Sequence, residues 1–373
     1  MPKVNPEIET FARIRVIGIG GAGGNAINHM VKTKIRGVDF VAINTDAQDL
    51  HKSLADRKIH IGKNLTKGLG SGMNPEIGKQ SAEETKSEIQ EMVKGSDMIF
   101  IAAGMGGGTG TGGAPVVARI AREEGVLTIG VVTKPFTFEG EQRKRIAVSG
   151  IEALEKEVDA LIVIPNDKLL AAADEKTSFE KAFEMSDDIL KQAVEGIAEL
   201  ITTPGIVNID FADIRSVVKD AGHAFMGVGI AAGADRAQKA VNAAISSPLL
   251  EIGMSGARGV LFAISSAGDV TMKEVGHIAD IVTENVDADS KRIFGTIRDT
   301  KMKKGQVKVT VIATGFSGQP RKAPLFPNPI NDKEQDKKSK QAPKDEIIID
   351  DNDSINEEGS SVPAFIRRMR GGK

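Results

Sequence analysis

The run GMGGGTGTGGAP, Gly104 to Pro115, decides the fold of this chain. It follows the apolar segment SDMIFIAA and precedes the helical pattern PVVARIAREEG, so it sits at a strand-to-helix junction. Seven of the ten residues from Gly104 to Gly113 are glycine. With no Cβ in the way, successive N–H groups can curl into an anion-binding concavity at a helix N-terminus. Such a loop suits a phosphate chain. The lysine-bearing loop GxxxxGK[ST] is excluded, because no lysine occurs between Lys94 and Lys134. The charge is therefore expected to be met by amides, the helix dipole, the hydroxyls of Thr109 and Thr111, and a metal ion. A turn serving close packing alone is the plainer reading, but consecutive glycines weaken a fold unless something approaches the backbone.

Outward from this loop, apolar strands alternate with helices. RIRVIGIGG is a strand entering a glycine turn, and NAINHMVKTKI is a helix. VDFVAINTD and RKIHIG are strands, SAEETKSEIQEMVKG is a polar helix, and VLTIGVVTKPF and DALIVIPN are buried strands. Val/Ile runs separated by helices predict a parallel sheet covered on both faces. Loops at the strand C-terminal ends (20–25, 44–46, 104–113, 134–139 and Asn166) should then line one crevice. A long helix is expected from about Phe179, ended by Pro204-Gly205. Beyond it, GVLFAISS and VKVTVIATGF with three helical segments suit a smaller α/β layer with a mixed sheet. The expected organisation is a flexible N-terminus (1–12), a Rossmann-like nucleotide-binding domain (13–178), a central helix (179–205) and a smaller α/β domain (206–316). A disordered linker (317–360) and an amphipathic tail (361–373) complete it. The linker is proline-rich, then basic, then acidic, with too little apolar content to fold.

Composition narrows the function. The 373 residues carry a net charge of −2, so no basic field points to nucleic acid. Cysteine is absent, which excludes disulfides and thiolate metal sites, and the five histidines show no ligand spacing. The N-terminus is polar and no apolar run reaches the length of a membrane span, so a cytoplasmic protein is expected.

Gly18-x-Gly20-x-x-Gly23 after the first strand matches the dinucleotide fingerprint, with Asp46 ending the next strand where a ribose-binding acid would sit. A third glycine loop, GLGSG (68–72), makes three converging on one crevice, which fits a triphosphate better than a pyrophosphate. Glu139 and Arg143, at i,i+4, can offer an acceptor and a forked donor to ribose and phosphate, though a surface ion pair has the same spacing. Phe183 and Asp187 share a face of the long helix: a stacking ring, and a carboxylate able to accept two N–H groups from the Watson–Crick edge of guanine. A core Phe beside a solvated Asp would read the same. Asp210 and Asp213 flank a helix start, where capping is the simplest role.

GGGTGTG followed by AP, with VVTKPFTFEG, IPNDKLL, GIAELIT, NIDFADI and ISSPLLE, resembles the FtsZ family of bacterial division GTPases within the tubulin superfamily, from about Arg13 to Gly315. The resemblance implies GTP/GDP binding with Mg2+, and phosphate contacts from Gly21, Ala22, Gly23, Gly24, Asn25, Ser71, Gly72, Gly107, Gly108, Thr109, Gly110 and Thr111. It implies ribose and phosphate contacts from Thr133, Glu139 and Arg143, and base contacts from Asn25, Asn166, Phe183 and Asp187. It also implies that Asn208, Asp210 and Asp213 complete the GTPase site of the next subunit in a head-to-tail filament. Ser71 and Met73 stand where smaller residues are commoner, a difference bearing on turnover. The C-terminal VPAFIRR resembles that family's tail peptide, and implies membrane-tether and division-regulator partners at the mid-cell membrane. Val362, Phe365, Ile366 and Met369 follow helical spacing opposite Arg367, Arg368 and Arg370, a helix too short to be stable alone.

Two rivals follow from the same residues. An NAD-dependent oxidoreductase would use Gly18-x-Gly20-x-x-Gly23, but no catalytic His or Cys lies near the glycine loops. A nucleotide-gated scaffold would bind GTP without turnover, against which Asp210 and Asp213 speak.

Overall fold

Eight strands of the computed structural model are those apolar runs, laid side by side with two unexpected ones in one ten-stranded sheet. Residues 12–316 are described, apart from 172–176, 204, 248–253, 255, 285, 288 and 300. The expected linker and tail, and residues 1–11, lie outside them. Strands β1 (Ile14–Ile19), β2 (Val38–Asn44), β3 (Arg57–His60), β4 (Met98–Gly104), β5 (Leu127–Lys134) and β6 (Ala160–Pro165) form the first part. They are followed by β7 (Gly222–Ala232), β8 (Gly259–Ser266), β9 (Lys291–Arg298) and β10 (Gln306–Thr314). The order is β3-β2-β1-β4-β5-β6-β7-β10-β8-β9.

Pairing is parallel from β3 to β7, antiparallel across β7-β10-β8, and parallel for β8-β9. The expected parallel and mixed portions are therefore present, and they join edge to edge where Ala160–Ile162 of β6 meets Gly222–Ala224 of β7. The order 3-2-1-4-5-6 is that of a doubly wound nucleotide-binding sheet, with its topological switch point between β1 and β4.

Helices α1 (Gly20–Lys32), α2 (Ala47–Lys52), α3 (Lys63–Thr66), α4 (Pro75–Glu84), α5 (Lys86–Val93) and α6 (Thr109–Glu123) link the first strands. Then come α7 (Glu141–Glu155), α8 (Asn166–Ala171), α9 (Phe179–Thr202), α10 (Phe211–Val218), α11 (Arg236–Ile245) and α12 (Met272–Glu284). Strand alternation sorts the core into two layers. Ile14, Val16, Met98 and Phe100 pack on the α1 and α9 side, while Ile17, Ile19, Ile99 and Ile101 pack on the α6 side. A third cluster lies under α11 and α12.

Three differences from the sequence reading have local causes. The polar helix begins earlier, at Pro75, because Asn74 accepts from the Glu76 N–H and proline suits the first helical position; it breaks at Thr85 into α4 and α5. The first glycine turn is itself the first turn of α1. Strands β7 and β9 carry no clean alternation: β7 is rich in glycine because α11 lies against it. A Cβ on Gly229 would stand 2.0 Å from the Ala240 carbonyl oxygen.

The 24 residues of α9 span roughly 36 Å at 1.5 Å per residue. Its start lies beside the strand C-terminal ends. Its end meets Gly37, just before β2, where a Cβ on Gly37 would stand 2.5 Å from a Thr202 methyl carbon. The helix thus runs from the C-terminal ends of the strands toward their N-terminal ends.

Candidate nucleotide site

A cavity of about 520 Å³ opens at the switch point, over the C-terminal ends of β1, β4 and β5. Each strand end delivers one wall. The first two turns of α1 contribute Gly21, Ala22 and Asn25; the loop before α4 contributes Ser71 and Gly72; the decisive glycine run contributes Gly107, Gly108, Thr109 and Gly110. Thr133 ends β5, Glu139 and Arg143 follow it, Asn166 starts α8, and Phe183 and Asp187 come from α9.

The glycine run is held shut behind the cavity. Thr109 Oγ1 lies 2.7 Å from Thr45 Oγ1 and 2.8 Å from Ser71 Oγ, so one buried hydroxyl triad ties three loops together. A Cβ on Gly108 would stand 2.4 Å from Ser71 Oγ and 2.5 Å from the Gly72 carbonyl oxygen, so no side chain fits there. The amides at the start of α6 face a cavity whose walls carry few cations, as a dipole-based anion site requires.

Arg143 and Glu139 do form the ion pair, and Glu139 also accepts from the Phe136 N–H at 2.9 Å. The carboxylate thereby shapes its own loop as well as orienting Arg143. Phe183 keeps 37 % of its surface exposed while its ring meets Phe136 edge-on at 5.2 Å. One exposed aromatic face at a polar cavity suits a stacked base. Burial raises Asp187 to about 6, partly offset by His29 and reinforced by Glu184. A carboxylate short of partners in a cavity wall is poised to accept N–H donors.

Three residues expected at the phosphates stand elsewhere. Thr111 lies two positions beyond Thr109, about 200° round the helix, and its Oγ1 accepts from the Gly106 N–H at 2.9 Å. Gly23 turns toward β1 and β4, where a Cβ would stand 2.5 Å from the Ala102 carbonyl oxygen. Gly24 borders a small hollow beneath α1. Asn208, Asp210 and Asp213 do not line the cavity either. They follow the far end of α9, where Asp210 Oδ1 accepts from the Asp213 N–H at 2.7 Å as the N-cap of α10, and Asn208 Oδ1 accepts from the Gly205 N–H at 2.6 Å.

Several wall residues were not singled out from the sequence. Ser186 donates to Asn166 Oδ1 at 3.0 Å and fixes that side chain. Position 186 is one residue before Asp187, which could have flagged it. Asn44 and Thr45, in the loop 44–46 expected at the crevice, line the cavity, and so does Asp49, which no motif marks. Asp46 lines it too, but caps α2 by accepting from the Gln48 and Asp49 N–H groups.

A magnesium ion keeps several waters and binds mainly through phosphate oxygens. Among the described residues no cluster of three or more His, Cys, Asp or Glu could hold a metal unaided. The oxygen-only donor set of the Thr45, Ser71 and Thr109 hydroxyls fits an ion that arrives with phosphates. Among the described residues, no helix is long and apolar enough to cross a membrane.

Residues 13–174 match the family model for the tubulin/FtsZ family GTPase domain, and residues 222–317 match that for the FtsZ family C-terminal domain. An FtsZ dimer of M. jannaschii, in the empty state, is 43% identical over 83% of this chain and 90% of its own, with a TM-score of 0.79. The GTPγS-bound CetZ2 protofilament of Haloferax volcanii superposes with a TM-score of 0.68 at 23% identity, covering 81% of this chain and 92% of that one. The GDP-bound CetZ1 monomer of the same organism gives 0.72 at 22% identity, covering 83% and 96%. The latter two share the fold.

Proposed function

The chain belongs to the tubulin/FtsZ family and is a GTPase, and from that premise we propose that it hydrolyses GTP in a site shared by successive subunits of a head-to-tail filament. One observation carries the reading. Phe183, Asp187 and Leu190 of α9 line the cavity, whereas Asp210 and Asp213 follow the far end of that helix, so roughly 20 Å of helix, from Asp187 to Thr202, lies between them. A carboxylate that far away cannot act on its own chain's nucleotide. Stacking one subunit on the next brings acids to phosphates, and such a heterologous contact does not close, so it propagates as a filament.

In this reading the phosphates rest on Gly21, Ala22 and Asn25 at α1, on Ser71 and Gly72, and on Gly107 to Gly110 at α6. The ribose meets Thr133, Glu139 and Arg143. Guanine stacks on Phe183 and donates to Asp187, with Asn25 and Asn166 beside it. The hydroxyl of Thr109 would hold Mg2+ bound with the phosphates, and the ion would supply charge neutralisation. Asn208, Asp210 and Asp213 of the neighbouring subunit orient and polarise the water. That water attacks the terminal phosphorus as the bond to the bridging oxygen breaks. The chain's contribution is positioning and electrostatics.

Residues 13–178 would act as the GTP-binding domain, 179–205 as the connecting helix and 206–316 as the activating domain. The filaments would form a division ring at mid-cell, and Val362 to Arg370 would reach membrane tethers and regulators.

The test mixes two inactive proteins. Asp213→Ala should bind GTP with near-normal affinity yet turn it over very slowly, and a pocket variant at Thr109 should fail to bind. Mixed filaments should recover turnover, because the pocket variant presents an intact acid to nucleotide held by the other. No recovery, together with loss of about 0.3–1 kcal/mol of stability in Asp213→Ala, the worth of an acid in the first turn of a helix, would leave only a helix-start role.

A further inference from the structure

Asp49 lies in the first turn of α2 and lines the cavity beside the first turn of α1. The start of α2 requires one capping carboxylate, and Asp46 supplies it, accepting from the N–H groups of Gln48 and Asp49. The Asp49 side chain turns instead toward α1. Its Oδ2 accepts from Asn44 Nδ2 at 2.7 Å. The same oxygen stands 3.7 Å from where a Cβ on Gly21 would lie, and 3.9 Å from that of Gly24. The carboxylate is therefore pressed against the first turn of α1, the turn that offers its N–H groups to the cavity. It also lines the cavity wall beside Gly20, Gly21 and Ala22.

A negative charge there answers the positive end of the α1 dipole. An incoming phosphate seeks the same amides. Its charged neighbours do little to relieve the conflict: Asp46 opposes its ionisation and Lys52 favours it. Burial first, and then Asp46, push the Asp49 pKa up, as expected of a carboxylate short of compensating charge.

We propose that Asp49 sets how loosely the site holds nucleotide, by competing with the bound phosphates for the N-terminus of α1. This rests on the reading of the cavity as a phosphate site. A phosphate accepting from the α1 amides would set a second negative charge against the turn that the Asp49 carboxylate already touches. Two like charges roughly 6 Å apart, at a dielectric of about 40, between those of protein and water, repel enough to weaken binding by about tenfold. The effect acts on charge alone. It spares the base and ribose, raises the rate of GDP release, and fades as salt screens it.

The test compares guanosine, GDP and GTP binding to the full chain and to its Asp49→Asn and Asp49→Ala variants, at low and high salt. Asn preserves the contact with Asn44, and Ala removes it, so the pair separates charge from hydrogen bonding. Thermal melting of each protein checks the fold. The expected result is GDP and GTP held about tenfold more tightly by both variants, slower GDP release, unchanged guanosine affinity, and a gain that shrinks in high salt. Unchanged or weaker GDP binding in folded variants overturns the inference; weaker binding would mean that Asp49 helps recruit a cation instead. Failure of the parent protein itself to bind any guanine nucleotide would remove the phosphate reading, and this inference with it.

Discussion

Acidification should loosen guanine nucleotide while tightening the nucleotide-free fold, because the same carboxylate governs both. Asp187 has its pKa raised from 3.8 to about 6, chiefly by burial. An aspartate with a raised folded pKa takes up a proton on folding between those two values. Its contribution to stability therefore falls as pH rises from about 4 to about 6, by at most about 3 kcal/mol at 1.36 kcal/mol per unit, and is flat above. Binding runs the other way. If Asp187 accepts two donors from guanine, only its ionised form serves. That form drops from about nine-tenths at pH 7 to about one-tenth at pH 5, so affinity should fall about tenfold. The phosphates titrate too, so Asp187→Asn is the necessary reference: it cannot ionise, yet the phosphates behave identically in both proteins. GDP affinity measured calorimetrically from pH 5 to 8, with chemical denaturation over pH 4 to 8, gives both slopes. The wild type should lose about tenfold more affinity than the variant between pH 7 and 5, and between pH 4 and 6 it should lose up to about 3 kcal/mol more stability than the variant. Parallel slopes in the two proteins would refute base recognition by this carboxylate.

Two further outcomes test the site and the frame around it. Thr109→Val and Thr111→Val should part company: the first unties the Thr45–Ser71 hydroxyl triad and weakens GTP binding. The second strands the Gly106 N–H at a cost of about 1–3 kcal/mol in stability, read by denaturant titration. In the second part of the sheet, Arg236 pairs with Asp269 and Glu274 and holds Glu274 down at about 2. That depressed pKa stabilises the fold above about pH 4.5 and the benefit is lost as pH falls toward 2. Arg236→Met should therefore flatten the acid limb of the stability curve, and an unchanged limb would show that the pair contributes nothing there.

What could be read from the chain alone is what depends on neighbouring residues. The glycine runs at 18–24 and 104–113 sit directly at strand ends, so their placement over the strand C-termini followed from local pattern and parallel-sheet topology, whereas the run at 68–72 follows α3 and is brought to the cavity by the fold. Pairs at i,i+4, Glu139 with Arg143 and Phe183 with Asp187, were legible because one helical turn carries both members. Tertiary structure alone decided which groups on those segments face the cavity. Thr109 and Thr111 are indistinguishable as letters until the start of α6 fixes their angle on the helix. Gly21 faces the cavity and Gly23 the strands for the same reason. Thr45 and Ser71 meet Thr109 of the glycine run from positions tens of residues away, Asp49 stands instead against Gly21 and Gly24, and β7 hid its strand character because α11 required glycine at position 229 where a strand would carry a side chain. Asp210 is the sharpest case. Locally it is a helix cap, and it caps; that it stands beyond the far end of α9, outside the cavity lining, was decided by the run of that helix between them.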